Sequence, residues 1–531
     1  MKLGQTMVAA SELTYQTNAS AFAMAQTIFG DGVTVVGASY SGDRNSSAIF
    51  SNGDSVSPNA TPSDTGVILS TGRARDYTNS SGQANQDTNT STNTRGVNNN
   101  SDFNAAAGTR TYDASYLDVS FVPTSSVMTM QFVFSSEEYP EYTNSIYQDF
   151  VGVWVNGTQV DLTIGNGDTD PGNINTTTNE NLFLDNGNDA YNTEMDGLTV
   201  TMTLTMNVVP GAVNTIRIGV ADVSDSNYDS NLLIAADSVQ TELVALDDST
   251  TLYPTGEVDL DVLDNDINNG GGTLTITHIN GVEVNVGDTV NLNTGQSVQL
   301  NPDGTLKIIG NGDIEDFNFT YATSDGSNSD TGFVNVSSIP CFVAGTQIAV
   351  PGGEVAVEEL VPGDLVLTRD SGAQPLRWIG QRTVAAEGEF APIRIRAGAF
   401  GDHDELLVSP QHRVLIQDAY AEVLFGESEV LVAAKDLVND RSVTRQPGGT
   451  VTYVHLLFDE HQVVFSERLA TESFLPGPQT TALFEAPQVQ EICSLFPELD
   501  PMSGAGYSVA ARRTLKGYEA RLLLASVAEA A

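Results

Sequence analysis

Apolar and polar residues alternate over short stretches along most of this chain, a pattern that predicts β-strands rather than helices. Runs such as VMTMQFVFS, DFVGVWVNG and NTIRIGVADV are bounded by Gly, Asn, Asp and Pro, which favour turns. Ahead of them, residues 10–30 carry apolar side chains at helical spacing, so a short amphipathic helix is expected to end at Gly30. Residues 10–241 thus predict a β-sandwich or jelly roll, with residues 78–100 as a long polar surface loop.

The alternation continues beyond this first segment. Residues 242–340 contain strand patterns and a strong Asn-Pro-Asp-Gly turn at 301–304, which indicates a second, smaller β unit. Residues 341–477 again show short strand runs, typical of a self-enclosing antiparallel sheet. In residues 478–531 the apolar spacing becomes helical, so a helical tail is expected. The predicted fold class is mainly β.

The strongly acidic composition of the chain restricts the kinds of molecule that it is expected to bind. The chain has 531 residues and a formal net charge of -46, with only 22 Lys and Arg. Nucleic acids and anionic membrane surfaces both require clustered cations, so neither is an expected partner. No apolar run approaches the roughly 18 residues of a membrane span. The first twenty residues lack a continuous apolar core, so no cleaved signal peptide is expected.

Acidic residues are crowded at two places in the first segment. Such crowding requires either solvent or a cation, because carboxylates in contact raise each other's pKa values. Calcium takes oxygen ligands and is one interpretation; ordinary solvated loops are the other. The candidate calcium ligands are Glu137, Glu138, Asp149, Asp222, Asp225 and Asp229.

A break in composition marks the third segment. Residues 1–340 hold 8 Lys and Arg against 42 Asp and Glu, which leaves 14 and 26 for the remainder. Cys341 opens this segment, and a thiol becomes a nucleophile when a histidine takes its proton. The candidate partners are Ser409, His412 and either His455 or His461. The other cysteine, Cys493, lies among apolar residues and is expected to be a buried, inert thiol.

Two residues in this segment have simpler interpretations. His403, between Asp402 and Asp404, is expected in a solvated polar turn, and Trp378 in the core.

The motifs SSEEYPEY, NTEMDG and ADVSDSNYDSNLLI resemble the bacterial surface module called the choice-of-anchor L domain, over residues 10–241. The resemblance implies a secreted or surface-displayed β domain and leaves its ligand open. Residues 242–340, with VLDNDIN, are similar to the cadherin-like or immunoglobulin-like spacers of bacterial adhesins.

The motifs CFVAGT, LRWIG, LLVSPQHRVL and YVHLLFDEHQVVF resemble the Hint fold of hedgehog autoprocessing domains and inteins. The resemblance implies that Cys341 attacks the carbonyl of Pro340 and converts the peptide bond into a thioester. In that step His412 would polarise or protonate the scissile amide, and Ser409 would hydrogen-bond its carbonyl. Either His455 or His461, expected on one face of a regular strand, would assist transfer to water or another acceptor nucleophile.

Departures from the family pattern restrict this chemistry. No His-Asn pair followed by Cys, Ser or Thr closes the segment, so full splicing is not expected. No acid occurs at residues 378–381, so cholesterol transfer is not expected either. Two hypotheses remain: self-cleavage between Pro340 and Cys341, which needs no cofactor, or an adhesin or matrix protein whose Hint domain is an inactive sorting module.

Overall fold

Three groups of β-sheets follow one another along the chain in a computed structural model. The mainly β fold class is confirmed. The structure describes residues 8–86, 89–143, 145–252, 256–311, 316–337, 342–386, 391–439, 441–475, 496, 508, 510–515, 519–520 and 523.

The first unit, here called the sandwich, consists of two sheets packed face to face. Its strands are β1 (Thr14–Gln16), β2 (Val33–Ser41), β3 (Ser47–Ser51), β4 (Thr65–Ser70), β5 (Thr111–Pro123), β6 (Val127–Ser136), β7 (Phe150–Val155), β8 (Thr158–Gln159), β9 (Phe183–Asp185), β10 (Gly197–Thr199), β11 (Met202–Asn207), β12 (Asn214–Val223) and β13 (Ser230–Ala235). One sheet runs β1-β3-β4-β13-β6-β10-β9, with β11 also beside β6, and the other runs β2-β5-β12-β7-β8. Apolar side chains from both sheets, such as Phe121 and Phe132, fill the layer between them. Strands β6, β7 and β13 inside the sheets are buried on both faces, whereas alternation alone predicts one buried face.

Short helices lie at the edges of the sandwich: α1 (Ala21–Ile28), α2 (Gly53–Val56) and α3 (Ser101–Ala107). Helix α1 begins at Ser20, whose hydroxyl accepts a hydrogen bond from the backbone N–H of Ala23 at 3.1 Å. Its buried face carries Met24, Ala25 and Ile28. The helix is shorter than the 10–30 stretch that suggested it, because residues 14–16 pair with β3 instead.

The second unit, the spacer, has its own core, a five-stranded sheet, a four-stranded sheet and a two-stranded sheet. Its strands are β14 (Leu243–Val244), β15 (Asp248–Thr251), β16 (Glu257–Leu260), β17 (Ile267–Asn268), β18 (Thr275–Ile279), β19 (Val282–Glu283), β20 (Thr289–Asn291), β21 (Ser297–Leu300), β22 (Leu306–Ile309), β23 (Phe317–Ser324) and β24 (Ser329–Ser337). Asp330 of β24 is buried and joins the spacer to the sandwich: its carboxylate accepts hydrogen bonds from Thr129 Oγ1 (3.0 Å) and Thr203 Oγ1 (3.3 Å). The two units therefore share a buried polar joint.

The third unit is again made of strands. They are β25 (Phe342–Val343), β26 (Gln347–Val350), β27 (Gly353–Ala356), β28 (Leu365–Thr368), β29 (Gly372–Pro375), β30 (Trp378–Ala385), β31 (Ile393–Ile395), β32 (Leu406–Val408), β33 (Arg413–Gln417), β34 (Glu429–Ala433), β35 (Val443–Arg445), β36 (Thr450–Leu457), β37 (Val463–Ser466), β38 (Leu469–Glu472) and β39 (Arg513–Thr514), with one helix, α4 (Ala419–Phe425). One sheet runs β30-β36-β25-β32-β31-β35, and the second contains β26, β37, β38, β33 and β34. Trp378 is 2% exposed, which confirms its place in the core.

The C-terminal tail departs from the predicted helix. Most of residues 478–531, including Cys493, lies outside the described residues. Where the tail is described, Arg513–Thr514 forms strand β39, parallel to β34, and helical backbone occurs at 519–520 and 523. Residues 513–514 are extended instead of helical because the edge of β34 offers backbone hydrogen-bond partners. One of these is Leu431 O, which accepts a hydrogen bond from Leu515 N at 2.9 Å. None of the described helices is long and apolar enough to cross a membrane.

Candidate functional site

Strand β25 lies between strands β32 and β36, and both of these strands lead to candidate site residues. Phe342 pairs with Val408 of β32 on one side and with Val454 of β36 on the other. Both pairings are antiparallel. Ser409 and His455, which follow Val408 and Val454, therefore lie towards the N-terminal end of β25. The predicted nucleophile Cys341 and its neighbour Pro340 lie outside the described residues.

A tight turn between β32 and β33 holds Ser409 and His412 together. The backbone N–H of His412 donates to the carbonyl of Ser409 at 3.1 Å, and both residues are buried. The imidazole of His412 contacts the ring of Phe342, with ring centroids 4.3 Å apart. The turn therefore places the Ser-x-x-His element against the first residue of β25.

His412 is a neutral imidazole at pH 7. Burial, opposed by Glu472 and reinforced by Arg413 and His461, lowers its pKa to about 4. Neither ring nitrogen has a hydrogen-bond partner among the described residues. A neutral imidazole carries one N–H donor and one acceptor nitrogen, so His412 can accept a proton at one position and donate one at the other.

Glu472 of β38 supplies a fixed negative charge beside this imidazole. Its Oε1 accepts from the backbone N–H of Arg413 at 2.9 Å, and its Oε2 from the Arg413 guanidinium at 3.1 Å. Burial favours a raised pKa for Glu472, but Arg413 and His461 outweigh it and hold the pKa at about 2. The sequence analysis missed this residue, although an acid in the apolar strand around LATESF was a usable signal.

His461 is fully engaged by its surroundings. Its Nδ1 accepts a hydrogen bond from Ala511 N at 2.9 Å, and its Nε2 lies 3.1 Å from the carbonyl of Ser473, to which it donates. The tautomer is assigned from these two partners. Nε2 is also 3.6 Å from Glu472 Oε2. Both ring nitrogens are used, so His461 anchors the C-terminal tail instead of lying open to a substrate.

The expectation that His455 and His461 share one strand face is wrong. Strand β36 ends at Leu457 and β37 begins at Val463, so His461 lies in the connection between two different sheets. His455 lies within β36, opposite Gly380, and its ring contacts Phe474 edge-on with centroids 5.7 Å apart. Of the two histidines, His455 is the one in the ladder beside β25.

Gln411 is a second residue that the sequence analysis missed. It is 6% exposed, and its side-chain Nε2 has no hydrogen-bond partner among the described residues. A buried amide donor without a partner costs free energy, so its position next to His412 calls for an acceptor. An oxyanion is such an acceptor. The signal was its place within the Ser409-x-x-His412 spacing.

His403 is buried, contrary to the solvated turn expected for it. Its Nε2 accepts from Phe400 N at 3.1 Å, and its Nδ1 lies 2.5 Å from the carbonyl of Asp404. The imidazole thus closes the loop between β31 and β32 by satisfying two backbone groups. It is a structural residue outside the candidate site.

Five of the six acidic candidates of the sandwich, Glu138, Asp149, Asp222, Asp225 and Asp229, act electrostatically on one another, and the group is not a set of solvated loops. Asp225 is partly exposed, and the other five are buried: Glu137, Glu138, Asp149, Asp222 and Asp229. Asp149 accepts hydrogen bonds from Val223 N (2.9 Å) and Ser230 Oγ (2.8 Å).

The electrostatics of this cluster come from burial among like charges. Burial raises the pKa of Asp229 to about 7, and burial followed by repulsion from Asp149 raises that of Glu138. Asp222 Oδ1 and Asp229 Oδ2 have no hydrogen-bond partner among the described residues. Within that part of the chain no three His, Cys, Asp or Glu side chains are arranged to hold a metal ion. Calcium binding stays a prediction.

Two domain families account for most of the chain. Residues 12–240 match the family model of the Choice-of-anchor L domain, and residues 340–478 match that of the Hint domain. Both resemblances are confirmed. The first indicates a secreted or surface protein, and the second an autoprocessing-type module. Domain limits finer than these matches stay predictions.

Similar solved structures are distant. The N-terminal eight Ig domains of Down Syndrome Cell Adhesion Molecule are 10% identical with a TM-score of 0.15, and the match covers 56% of this chain and 35% of that one. A SusE-like surface-located polysaccharide-binding protein from Bacteroides thetaiotaomicron is also 10% identical (TM-score 0.13; 48% and 42% covered). The major pilin RrgB from Streptococcus pneumoniae is 10% identical as well (TM-score 0.12; 67% and 62%). No curated protein matches the sequence.

Proposed function

From a chain that carries a Choice-of-anchor L domain followed by a Hint domain, we propose a secreted or surface protein that cleaves itself between Pro340 and Cys341. One observation carries the proposal. The buried imidazole of His412, whose ring nitrogens have no partner among the described residues, lies against Phe342, the residue that follows Cys341 in the chain.

In the first step the Cys341 sulfur attacks the carbonyl carbon of Pro340. A C–S bond forms, the C–N bond breaks, and the thiol proton ends on the released amine of Cys341. A neutral His412 suits this transfer, because it accepts a proton at one nitrogen and donates one from the other. Ser409 and the Gln411 amide are the proposed donors to the oxyanion.

In the second step water, or another nucleophile, attacks the thioester. The C–S bond breaks, the thiol of Cys341 is regenerated, and residues 1–340 leave with a carboxylate or attached to the acceptor. His455 is the histidine proposed to assist, since His461 is held by Ala511 and Ser473. No metal or organic cofactor takes part in these steps.

The test uses the full chain incubated with hydroxylamine or with a small thiol, followed by intact mass measurement. Two fragments that meet at Pro340 and Cys341 are expected, and none in Cys341→Ala. The control Cys493→Ala is expected to cleave as the parent does. His412→Ala is expected to slow cleavage by at least about 10²-fold. An intact parent chain under all these conditions contradicts the proposal and favours an inactive sorting module.

A further inference from the structure

An open cavity of about 500 Å³ lies on the sandwich, well away from the Hint domain in sequence. Three tyrosines line it, Tyr142, Tyr147 and Tyr228, together with the carboxyl groups of Glu138 and Asp225. It is bordered by the loop that follows β6, the loop between β12 and β13, and the polar stretch near residue 89. Neither the self-cleavage chemistry nor the family matches give it a role.

The three aromatic rings form a connected group with steep mutual angles. Tyr142 and Tyr147 meet edge to face at 86°, with centroids 6.2 Å apart, and Tyr142 and Tyr228 are tilted by 49° at 5.1 Å. All three rings are partly exposed. Partly exposed rings at such angles present several π faces to one volume, which is the arrangement that surrounds an organic cation.

The titratable side chains that line the cavity are carboxyl and phenol groups. Glu138 is 2% exposed, its Oε2 accepts a hydrogen bond from Asp149 N at 2.8 Å, and no Lys or Arg occurs among the described residues that line the cavity. The charges that act on Glu138 are those of other acids, namely Asp149, Asp225 and Asp170. A buried carboxyl group in such surroundings is stabilised by a cation and repelled by an anion.

Tyr228 adopts an uncommon backbone conformation at this position. Its φ is +64°, in the left-handed region that bulky residues rarely adopt. Two contacts hold it there: its backbone N–H donates to Ser91 Oγ at 3.0 Å, and its hydroxyl donates to Asn89 Oδ1 at 3.2 Å. Strain of this kind clusters at ligand-binding positions, where the surroundings fix one side chain in place.

We propose that this cavity binds an organic ammonium group, with the tyrosine rings contacting its alkyl substituents and the carboxyl groups of Glu138 and Asp225 lying beside its charge. A bare divalent ion fits less well, because the described residues contain no set of three acidic or histidine ligands arranged for a metal. A neutral sugar uses aromatic faces too, but it leaves the carboxyl groups without a counterion.

The experiment is calorimetric titration of the full-length Cys341→Ala chain with four probes: tetramethylammonium, choline, n-butylammonium, and 3,3-dimethylbutan-1-ol, the neutral isostere of choline. Ammonium probes are expected to bind at least about tenfold more tightly than the neutral isostere, since cation–π attraction and charge are absent from the alcohol. Tighter binding of the methylated probes identifies a quaternary head group as the source, and tighter binding of butylammonium identifies a lysine-type amine.

Variants connect any binding to the cavity. Tyr142→Ala is expected to weaken binding at least about tenfold, while Tyr142→Phe, which keeps the ring, retains it. Glu138→Gln is expected to weaken ammonium binding and leave the alcohol unchanged. Tyr420→Ala, at an exposed tyrosine outside the sandwich, serves as the matched control.

Three results overturn the proposal: equal binding of choline and its neutral isostere, no binding of any ammonium probe, or binding that Tyr142→Ala leaves intact. Calcium chloride and a panel of neutral monosaccharides are titrated in parallel. Occupation of the cavity by either of these, with no ammonium binding, assigns it to a metal ion or a sugar instead.

Discussion

The sandwich and the Hint domain both bury carboxyl groups, but burial has opposite consequences for their ionisation in the two regions. In the Hint domain the buried carboxylate of Glu472 is bonded to Arg413, which holds its pKa at about 2. In the sandwich Glu138, Asp149 and Asp222 are buried beside one another, and their pKa values are raised, first by burial. Glu472 has its counter-charge in Arg413, whereas among the described residues the groups that act most strongly on the three sandwich acids are other acids and hydrogen-bond partners. The difference suggests that the sandwich, rather than the Hint domain, responds to added cations.

The two tryptophans of the chain separate the two regions experimentally. Trp154 lies in β7 of the sandwich and Trp378 in β30 of the Hint domain. Full-length Cys341→Ala chains that carry Trp378→Phe or Trp154→Phe therefore report on one region each by fluorescence.

The largest effect is expected from Glu472→Ala. The substitution leaves the Arg413 guanidinium and backbone N–H without their acceptor, so the Hint domain is expected to lose about 3–5 kcal/mol of unfolding free energy. Urea unfolding followed through Trp378 measures it. A change below about 1 kcal/mol would show that the pair does not hold the domain together.

Next in size is the pH response of the sandwich. Asp229 has a folded pKa of about 7, above the usual value of 3.8, so its contribution is full below pH 3.8 and is lost as pH rises through 7. Between pH 5 and pH 7 the loss is expected to be about 2–3 kcal/mol without added cations, read through Trp154. Asp229→Asn should reduce the pH dependence of the sandwich by about this amount, and the neighbouring buried acids account for the remainder; Asp31→Asn, at an exposed residue, should leave it unchanged. If the unfolding free energies of both variants depend equally on pH, Asp229 is not the cause of the pH response.

His412 gives the Hint domain a pH response of the opposite sign. Its folded pKa of about 4 lies below the usual 6.5. The stability that the neutral imidazole contributes is therefore fully present above pH 6.5 and is lost as pH falls towards 4. A loss of about 1–2 kcal/mol is expected between pH 6.5 and pH 5, and His412→Gln should reduce it. Unfolding at several pH values, followed through Trp378, provides the measurement. An unchanged slope in His412→Gln would contradict a buried neutral imidazole.

The smallest effect is expected from a surface ion pair of the same domain. Arg394 and Glu405 bond to each other, but the side chain of Glu405 is 43% exposed. Glu405→Ala should therefore change the unfolding free energy by about 0–1 kcal/mol. If Glu405→Ala lowers the unfolding free energy as much as Glu472→Ala does, the difference in solvent exposure does not explain how much each ion pair stabilises the domain.

Sequence predicted the fold class and both domain families because strand alternation and short motifs are local signals. It also placed Ser409 and His412 together, since a three-residue spacing fits one turn. It failed where contacts are distant in the chain. The bonds from Glu472 to Arg413 and from His461 to Ala511 join residues 59 and 50 positions apart. His403 was misjudged for another reason: its acidic neighbours suggested solvent, while its ring bonds the backbone.

The position of β24 limits what a released fragment can do. This strand ends at Ser337, three residues before the proposed junction, and Asp330 fastens it to the sandwich. Three fully extended residues span at most about 11 Å. Any acceptor joined to Pro340 would therefore sit on a very short tether close to a folded β domain. Such a tether selects for small or protruding nucleophiles and keeps the acceptor within about 11 Å of the end of β24.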